Sequence, residues 1–315
     1  MTDLSAPTAI AVSVCTHRRN DELRRLLDSV VVAAEELGRR GRVGVVVVDD
    51  NDDGRARVVA DEYTDRFELG VRYRHTAARN ISVARNAGLE ASLEFADRIA
   101  MTDDDCVVPP GWLAEHLTMA ERHGADATTG SMVLTVPPGS PSWLDDEPFG
   151  TLGLLTQSDG DRVPRCGTNN STISAMWLRD HPDIRFDPEL GRIGGEDMVF
   201  YRTAMQAGLH ARFAAAAPVF EQEPPNRATL RYQLSRALWM GNTEAVTNLR
   251  AGDATRGRLV LRSANRLRSA LYRPIRRLRG RERPQARFAL PQCAQDRGIL
   301  IGAFGRELDL SLIHI

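Results

Sequence analysis

Val43-Gly44-Val45-Val46-Val47-Val48-Asp49-Asp50-Asn51-Asp52-Asp53-Gly54 is the stretch that decides the architecture. The β-branched run is interrupted only by Gly44 and shows no polar alternation. It therefore predicts a strand buried on both faces, as in the middle of a parallel sheet. The Asp-rich residues that follow end the strand abruptly. Outward from it, Ala9–Val14 reads as a second strand. Asp21–Leu37 reads as a helix, with Leu23, Leu26, Leu27, Val30 and Val31 at helical spacing. Arg55–Arg66 (helix), Val71–Arg74 (strand), Ile81–Leu93 (helix) and Arg98–Thr102 (strand) continue the alternation. Pro110–His123 is a helix with proline near its start, where a missing N–H costs nothing. Asp126–Val136 reads as one more strand.

This rhythm predicts an α/β fold: a Rossmann-like, mostly parallel sheet flanked by helices. Ligands of such sheets bind beyond the carboxyl ends of the strands. Two acidic clusters fall there, Asp49–Asp53 after one strand and Asp103-Asp104-Asp105 after another. Residues 137–166 are irregular and rich in Pro, Gly, Ser and Asp, with Trp143 and Phe149 among them; they read as a lid or binding loop. Glu196–Gly208 is helical and ends on glycine, and 226–250 is helical. No internal repeat is present.

The chain has 315 residues, long enough for one large domain or a domain with an appendage. Hydrophobic residues at 42% and charged residues at 26% exclude general disorder. No apolar run reaches the roughly 18 residues of a membrane span. The N-terminus lacks a basic segment followed by an apolar core, so no secretory signal is read and a cytoplasmic location is expected. All 41 basic residues are arginine. Residues 1–255 carry 27 Arg against 38 Asp and Glu, whereas 256–315 carry 14 Arg against four acids. That split predicts an acidic body with a basic tail. Cys15, Cys106, Cys166 and Cys293 form no CxxC pair, which argues against structural zinc and, without export, for reduced thiols.

The candidate chemistry lies in four places. Asp103-Asp104-Asp105 offers hard oxygens at i and i+2, suited to Mg²⁺ or Mn²⁺ bridging phosphates; the plainer alternative is a solvated turn. Asp50 can accept hydrogen bonds from a base or ribose, or simply cap the next helix. Arg85 can reach a phosphate or pair with the acids. After Gly194-Gly195, Glu196 and Asp197 stand at a helix N-terminus, either as capping carboxylates or as a general base, with Asp197 the better placed.

Taken in order, Val14-Cys15-Thr16-His17-Arg18-Arg19, Val47-Val48-Asp49-Asp50, Ala84-Arg85-Asn86-Ala87-Gly88, Thr102-Asp103-Asp104-Asp105, Pro109-Pro110-Gly111-Trp112-Leu113, Gly167-Thr168-Asn169-Asn170, Phe186-Asp187-Pro188-Glu189-Leu190-Gly191 and Gly195-Glu196-Asp197 resemble the family 2 glycosyltransferases of the GT-A fold. The resemblance covers about residues 9–245. It implies an inverting enzyme that moves a sugar from a nucleotide-diphosphate donor, UDP-, dTDP- or GDP-linked, to an acceptor hydroxyl. On that reading Thr16, Arg18, Asp50, Arg85, Asp103 and Asp104 bind the donor nucleotide, and Asp105 with Asp103 holds Mg²⁺ or Mn²⁺. Asp197, with Glu196 beside it, is the catalytic base, and Trp143, Asn169 and Asn170 meet the acceptor. Many relatives place a histidine after the last core strand. Here that region holds Glu221 and Glu223, and either one substitutes or the metal lacks a third protein ligand.

Residues 256–287 hold 12 Arg and one acid, Glu282. Val260, Ala264, Leu267, Leu271, Ile275 and Leu278 gather on one side of a helix, with Arg258, Arg262, Arg266, Arg273, Arg276 and Arg277 opposite; Pro274 would kink or split it. Two readings stand: docking on an anionic membrane at the inner face, or packing of the apolar stripe on the protein. Apart from Tyr272 there are no interleaved aromatics, so no nucleic-acid partner is expected. The expected organisation is a catalytic domain over 1–225 and a helical, basic C-terminal extension over 226–315. A polysaccharide, a glycolipid or a small molecule would each serve as acceptor. The competing functions are a catalytically silent membrane-bound scaffold of the same fold and a sugar nucleotidyltransferase. The latter lacks its usual glycine-rich loop and lysine here.

Overall fold

In the computed structural model, which describes residues 6–141, 144, 157–278 and 289–309, the Val43–Val48 run lies inside β2 (Gly41–Asp49). Its valines are buried on both faces. Gly44 interrupts the run because Leu69 and Phe95 approach within 2.9 and 3.0 Å of where a Cβ would sit. β2 pairs in parallel with β1 (Thr8–Thr16) and with β3 (Val71–His75), and β1 pairs in parallel with β4 (Arg98–Thr102). Beyond β4 come β8 (Asn170–Ser174), antiparallel to its neighbours, β6 (Ala127–Thr129) and β9 (Ala211–Phe213). The order of the seven strands is β3-β2-β1-β4-β8-β6-β9. A second, three-stranded sheet is ordered β5-β10-β7, from β5 (Cys106–Val107), β7 (Met132–Thr135) and β10 (Val219–Gln222). The single strand expected over Asp126–Val136 is therefore two, β6 and β7, serving different sheets.

Helices cover both faces of the large sheet. Leu23, Leu26, Leu27 and Val30 of α1 (Asn20–Leu37) share one core with Val59 of α2 (Ala56–Glu62) and with Trp112 and Leu117 of α4 (Trp112–His123). On the opposite face, Leu89 of α3 (Ile81–Leu93) and Trp177 of α5 (Ala175–Asp180) share a core with Phe200 and Tyr201 of α6 (Glu196–Gln206). The Arg55–Arg66 helix is shorter than read, because after α2 the chain tightens into a 3-10 turn at Thr64–Arg66.

The chain divides into two compact units. The first comprises Met1–Val133, Gly153–Gly191 and Glu196–Gln222. The second comprises Leu134–Leu152, Arg192–Gly195 and Glu223–Ile315, and it contains α7 (Leu230–Arg250), α8 (Arg256–Leu278) and α9 (Ala289–Ala303). In the second unit Trp239 Nε1 and Thr243 Oγ1 both donate to Ile193 O, at 2.8 and 3.2 Å. The following Gly194 and Gly195 take φ of +90° and +81°. A side chain at Gly194 would also collide with the Trp239 ring, so glycine is required there twice over.

α8 continues through Pro274. Its inward residues are Leu259 and Ser263, and Leu259 joins a small core with Ala245, Ile299 and Ala303. Arg262 and Arg266, expected on the outer basic face, turn inward to pair with Glu244 (2.5 Å) and Asp296 (3.6 Å). Asp296 is buried, and a buried carboxylate recruits the nearest cation. Ala264, expected in the apolar stripe, is exposed.

Candidate active site

The carboxyl ends of β1, β2 and β4 bring the expected acidic clusters together in the first unit. Their roles separate by hydrogen bonding. Asp49 is wholly buried and structural: Oδ1 accepts from the amide of Asn51, and Oδ2 accepts from the amide of Ala56 and from Tyr73 Oη. It starts α2. Asp50 holds the loop after β3. Oδ1 accepts from Thr76 Oγ1 (2.7 Å) and from the amides of Ala78 (2.7 Å) and Arg79 (3.1 Å), and Oδ2 accepts from the amide of Asn80 (2.7 Å). Those bonds stabilise a loop in which Ala77 and Arg79 both have φ of +49°. Asn80 then caps α3 by accepting from the amide of Val83.

The Asp103-Asp104-Asp105 turn follows β4, and two arginines tie it down. Arg85, on α3, pairs with Glu196 and reaches Asp103 at 3.4 Å. Arg19, the residue before α1, uses one nitrogen for two carboxylates, Asp104 Oδ1 at 3.0 Å and Asp105 Oδ2 at 2.6 Å. Thr16 Oγ1 donates to the remaining oxygen of Asp104 at 2.8 Å. The acids thus form two arginine-bridged groups, Glu196–Arg85–Asp103 and Asp104–Arg19–Asp105. Burial raises the pKa of Asp103 and of Glu196, with Arg85 opposing in both cases. Burial pushes Asp104 up to about 7, against the pull of Arg19. Burial also works against the charge of Arg85, but Glu196 and Asp103 outweigh it and hold the guanidinium above its ordinary range. Cys15, the neighbour of Thr16, is pushed up to about 12 by burial and is no thiolate at neutral pH.

Asp197 differs from Glu196. It is half-buried, Oδ1 accepts from the amide of Met198 (2.7 Å), and among the described residues no cation pairs with it. Both Asn169 and Asp197 crowd Gly167: a Cβ there would lie 2.7 Å from Asn169 Oδ1 and 3.4 Å from Asp197 Oδ2. Asn169 therefore sits beside Asp197. Asn170 does not. It is fully enclosed, with Oδ1 accepting from Trp112 Nε1 and His116 Nε2 and Nδ2 donating to Ser131 O and Ala217 O. Its amide knits strands together and cannot meet a ligand. Trp143 lies outside the described residues, and so does Phe149. Arg18 is exposed at the end of β1 with φ of +59°. Arg19 is the residue that sequence reading passed over as a functional group, although its place just after a central strand was a signal.

A divalent cation fits the turn chemically. Asp103 keeps 43% of its side chain exposed and Asp105 keeps 17%. Two hard carboxylates suit Mg²⁺ or Mn²⁺, which complete their shells with water and phosphate oxygens. Among the described residues no set of three or more His, Cys, Asp or Glu converges on one point. Glu221 stands opposite Cys106 in the β10–β5 pairing, beside the turn. Glu223 is buried in the second unit and accepts from Gln233 Nε2 at 3.0 Å.

Comparison with known proteins supplies the family and the fold. The model of the family described as "Glycosyl transferase family 2" matches residues 11–182. The succinoglycan biosynthesis protein ExoM of Rhizobium meliloti (strain 1021) is 32% identical over 265 residues, covering 83% of this chain and 78% of ExoM. Among solved structures, S. aureus TarS 1–349 in complex with UDP-GlcNAc matches with a TM-score of 0.52 at 15% identity, over 92% of this chain and 89% of that one. The longer TarS chain is covered over only 42% of its length. GalNAc-T7 with UDP, GalNAc and Mn²⁺ matches with a TM-score of 0.53 at 16% identity, over 77% of this chain and 50% of that one. Likeness at that identity establishes the GT-A fold, while the family model spans more than half the chain and sets aside the nucleotidyltransferase and silent-scaffold alternatives. The chain belongs to glycosyl transferase family 2 and is a glycosyltransferase.

Proposed function

We propose that this glycosyltransferase is inverting and metal-dependent, and that it takes a nucleotide-diphosphate sugar as donor. The observation that carries the reading is the division of labour among the carboxylates. Glu196, Asp103, Asp104 and Asp105 are each bridged by an arginine, whereas Asp197 sits half-buried and, among the described residues, no cation pairs with it. A single displacement needs one base at the acceptor and no covalent nucleophile. Asp197 is that base: it takes the acceptor hydroxyl proton as the oxygen attacks the sugar carbon from the face opposite the leaving diphosphate. Glu196 anchors Arg85 and keeps the α6 N-terminus oriented. Thr16, Arg18, Asp50, Arg85, Asp103 and Asp104 form the donor side, with Asp50 acting through the 76–80 loop that it holds and Asp104 through the turn. Asp103 and Asp105 would hold Mg²⁺ or Mn²⁺, which when bound supplies Lewis-acid stabilisation of the leaving diphosphate.

TarS carries UDP-GlcNAc and GalNAc-T7 carries UDP and Mn²⁺, so a UDP-linked donor is the first to try, ahead of dTDP and GDP. ExoM is a succinoglycan biosynthesis protein, which supports a growing polysaccharide or its lipid-linked precursor as acceptor. In this reading residues 1–225 form the catalytic part and 226–315 a basic extension that meets an anionic membrane.

The deciding experiment is calorimetric titration of UDP, dTDP, GDP and CMP with and without Mn²⁺, on the wild type, Asp105→Ala and Asp197→Asn. One nucleoside diphosphate should bind with Mn²⁺ alone present, Asp105→Ala should abolish that, and Asp197→Asn should leave it intact. With donor and acceptor supplied, Asp197→Asn should lose at least about a hundredfold in kcat, the scale of general-base catalysis. Nucleotide binding that ignores Mn²⁺, or full turnover by Asp197→Asn, would sink the assignment.

A further inference from the structure

Arg19 does more than a clamp requires. Asp104 is the buried member of its pair of carboxylates, and Thr16 Oγ1 already takes one of its oxygens at 2.8 Å. An arginine serving Asp104 alone would complete that clamp. Instead the same nitrogen makes its shorter contact, 2.6 Å, with Asp105, the more accessible of the two. The stem of Arg19 starts from a fixed point, since its carbonyl accepts from the amide of Leu23 at 2.8 Å as α1 begins. Its side chain is 28% exposed, so solvent and ligands reach it from outside. A resident positive charge therefore rests on the carboxylate proposed to hold the metal.

We infer that Arg19 is a positioning residue that keeps a bare divalent cation off the Asp103-Asp104-Asp105 turn, so that the cation enters together with the diphosphate. The inference rests on the proposed metal site. A guanidinium in contact with Asp105 Oδ2 repels a cation arriving at the same oxygen, because a unit charge a few ångströms away opposes a second one strongly in a half-buried setting. A nucleoside diphosphate changes the balance in two ways. It brings about two further negative charges to the cation, and it offers the guanidinium phosphate oxygens in place of the carboxylate, a pairing whose fork geometry suits arginine. Donor and metal then bind cooperatively, and metal without donor binds poorly. Arg85 opposes a cation at Asp103 less. Its stronger partner is Glu196, on α6, and its contact with Asp103 is longer, at 3.4 Å.

The test is calorimetric titration of MnCl₂ into the full chain, with and without saturating UDP, for the wild type, Arg19→Lys, Arg19→Gln and Arg19→Met. The methionine variant keeps the apolar stem and serves the same arm if the glutamine variant does not fold. Thermal melts establish which variants are folded. In the wild type Mn²⁺ should bind weakly alone and at least about tenfold more tightly with UDP. Neutralising Arg19 should tighten Mn²⁺ binding without UDP by about tenfold or more, a small share of what a contact charge is worth at the effective dielectric of a protein surface. The UDP effect should shrink by the same factor, and Arg19→Lys should behave as the wild type. A merely structural role predicts weaker binding in the neutral variants. Unchanged or weakened Mn²⁺ binding in them, while wild-type UDP binding still needs Mn²⁺, overturns this inference alone. Wild-type UDP binding that is indifferent to Mn²⁺ overturns the metal reading and this inference with it.

Discussion

His116 shows how a residue outside the chemistry sets the working range of the protein. Its Nε2 donates to Asn170 Oδ1 at 3.0 Å and its Nδ1 accepts from Thr128 Oγ1 at 2.8 Å, which fixes the neutral tautomer. Burial holds its pKa down to about 4. In the unfolded chain an ordinary histidine titrates near 6.5, so between those values the unfolded chain binds a proton that the folded one refuses. His116 leaves stability intact above about pH 6.5 and removes it progressively as pH falls towards 4, by about 3 kcal/mol at the end of that window. Thermal unfolding followed from pH 7.5 to 4.5 should show this descent, and His116→Gln, which keeps an N–H for Asn170, should flatten it. An unchanged slope in the variant would move the effect to another group. At this scale the sequence exposes residue types but not their partners. Asp103 and Asp105 drew attention as carboxylates directly after a buried strand, and Glu196 and Asp197 as carboxylates after two glycines at the start of a helix. The direction of Asn170 into the core and the double pairing of Arg19 were not legible, because those partners come from distant parts of the chain that only the fold brings together.

Elements were legible in proportion to their hydrophobic period. β2, α1 and α4 carry their pattern openly, and the structure places them where it predicts. β8 was missed because Asn170-Ser171-Thr172-Ile173-Ser174 has one apolar residue in five. It is buried all the same, since Ser171 bonds Tyr201 Oη and Thr172 bonds Thr128 Oγ1, both at 2.7 Å. Hydroxyl groups satisfied in pairs bury as readily as methyls, and hydropathy does not register them. The loop after β3 was equally silent, although it shapes the site. Its conformation hangs on Asp50, whose two oxygens receive one hydroxyl and three amides. Asp50→Asn replaces one acceptor by a donor and sets it against an amide hydrogen. The expected cost is about 1–3 kcal/mol, the penalty of an unmade buried hydrogen bond. Hydrogen exchange should read it locally, as faster exchange at Ala78, Arg79 and Asn80 with the α1 amides unchanged. Equal protection in the variant would mean that Asp50 is free to serve the nucleotide directly.

Across the whole molecule, the acidic body and the basic tail fit the proposed contact with an anionic membrane, and the second unit offers a surface for it. α8 commits Leu259, Ser263, Arg262 and Arg266 to α7 and α9. What it leaves outward is Arg256, Arg258, Leu261 and Arg268, with Leu261 64% exposed. α9 ends alongside, where Phe304 is 77% exposed. The Arg256 guanidinium comes within 3.9 Å of where a side chain at the next residue, Gly305, would begin. An aromatic and a leucine ringed by arginines match the headgroup layer of an anionic bilayer, where each basic residue contributes about 1 kcal/mol. No described helix is long and apolar enough to cross a membrane. Attachment through this surface would keep a transferase beside a lipid-linked acceptor. Full-length protein should co-sediment with vesicles containing about a third phosphatidylglycerol and not with pure phosphatidylcholine, and it should be released by 0.5 M salt as charges are screened over a few ångströms. Leu261→Glu combined with Phe304→Glu should weaken vesicle binding by at least about tenfold, since each apolar side chain removed from water is worth about 1.5–3 kcal/mol. Both side chains are solvent-exposed in the free protein, so its melting temperature should stay within a degree or two. Binding that survives the double substitution would move the contact away from Leu261 and Phe304, and failure to sediment with the anionic vesicles would overturn the membrane reading of the basic tail.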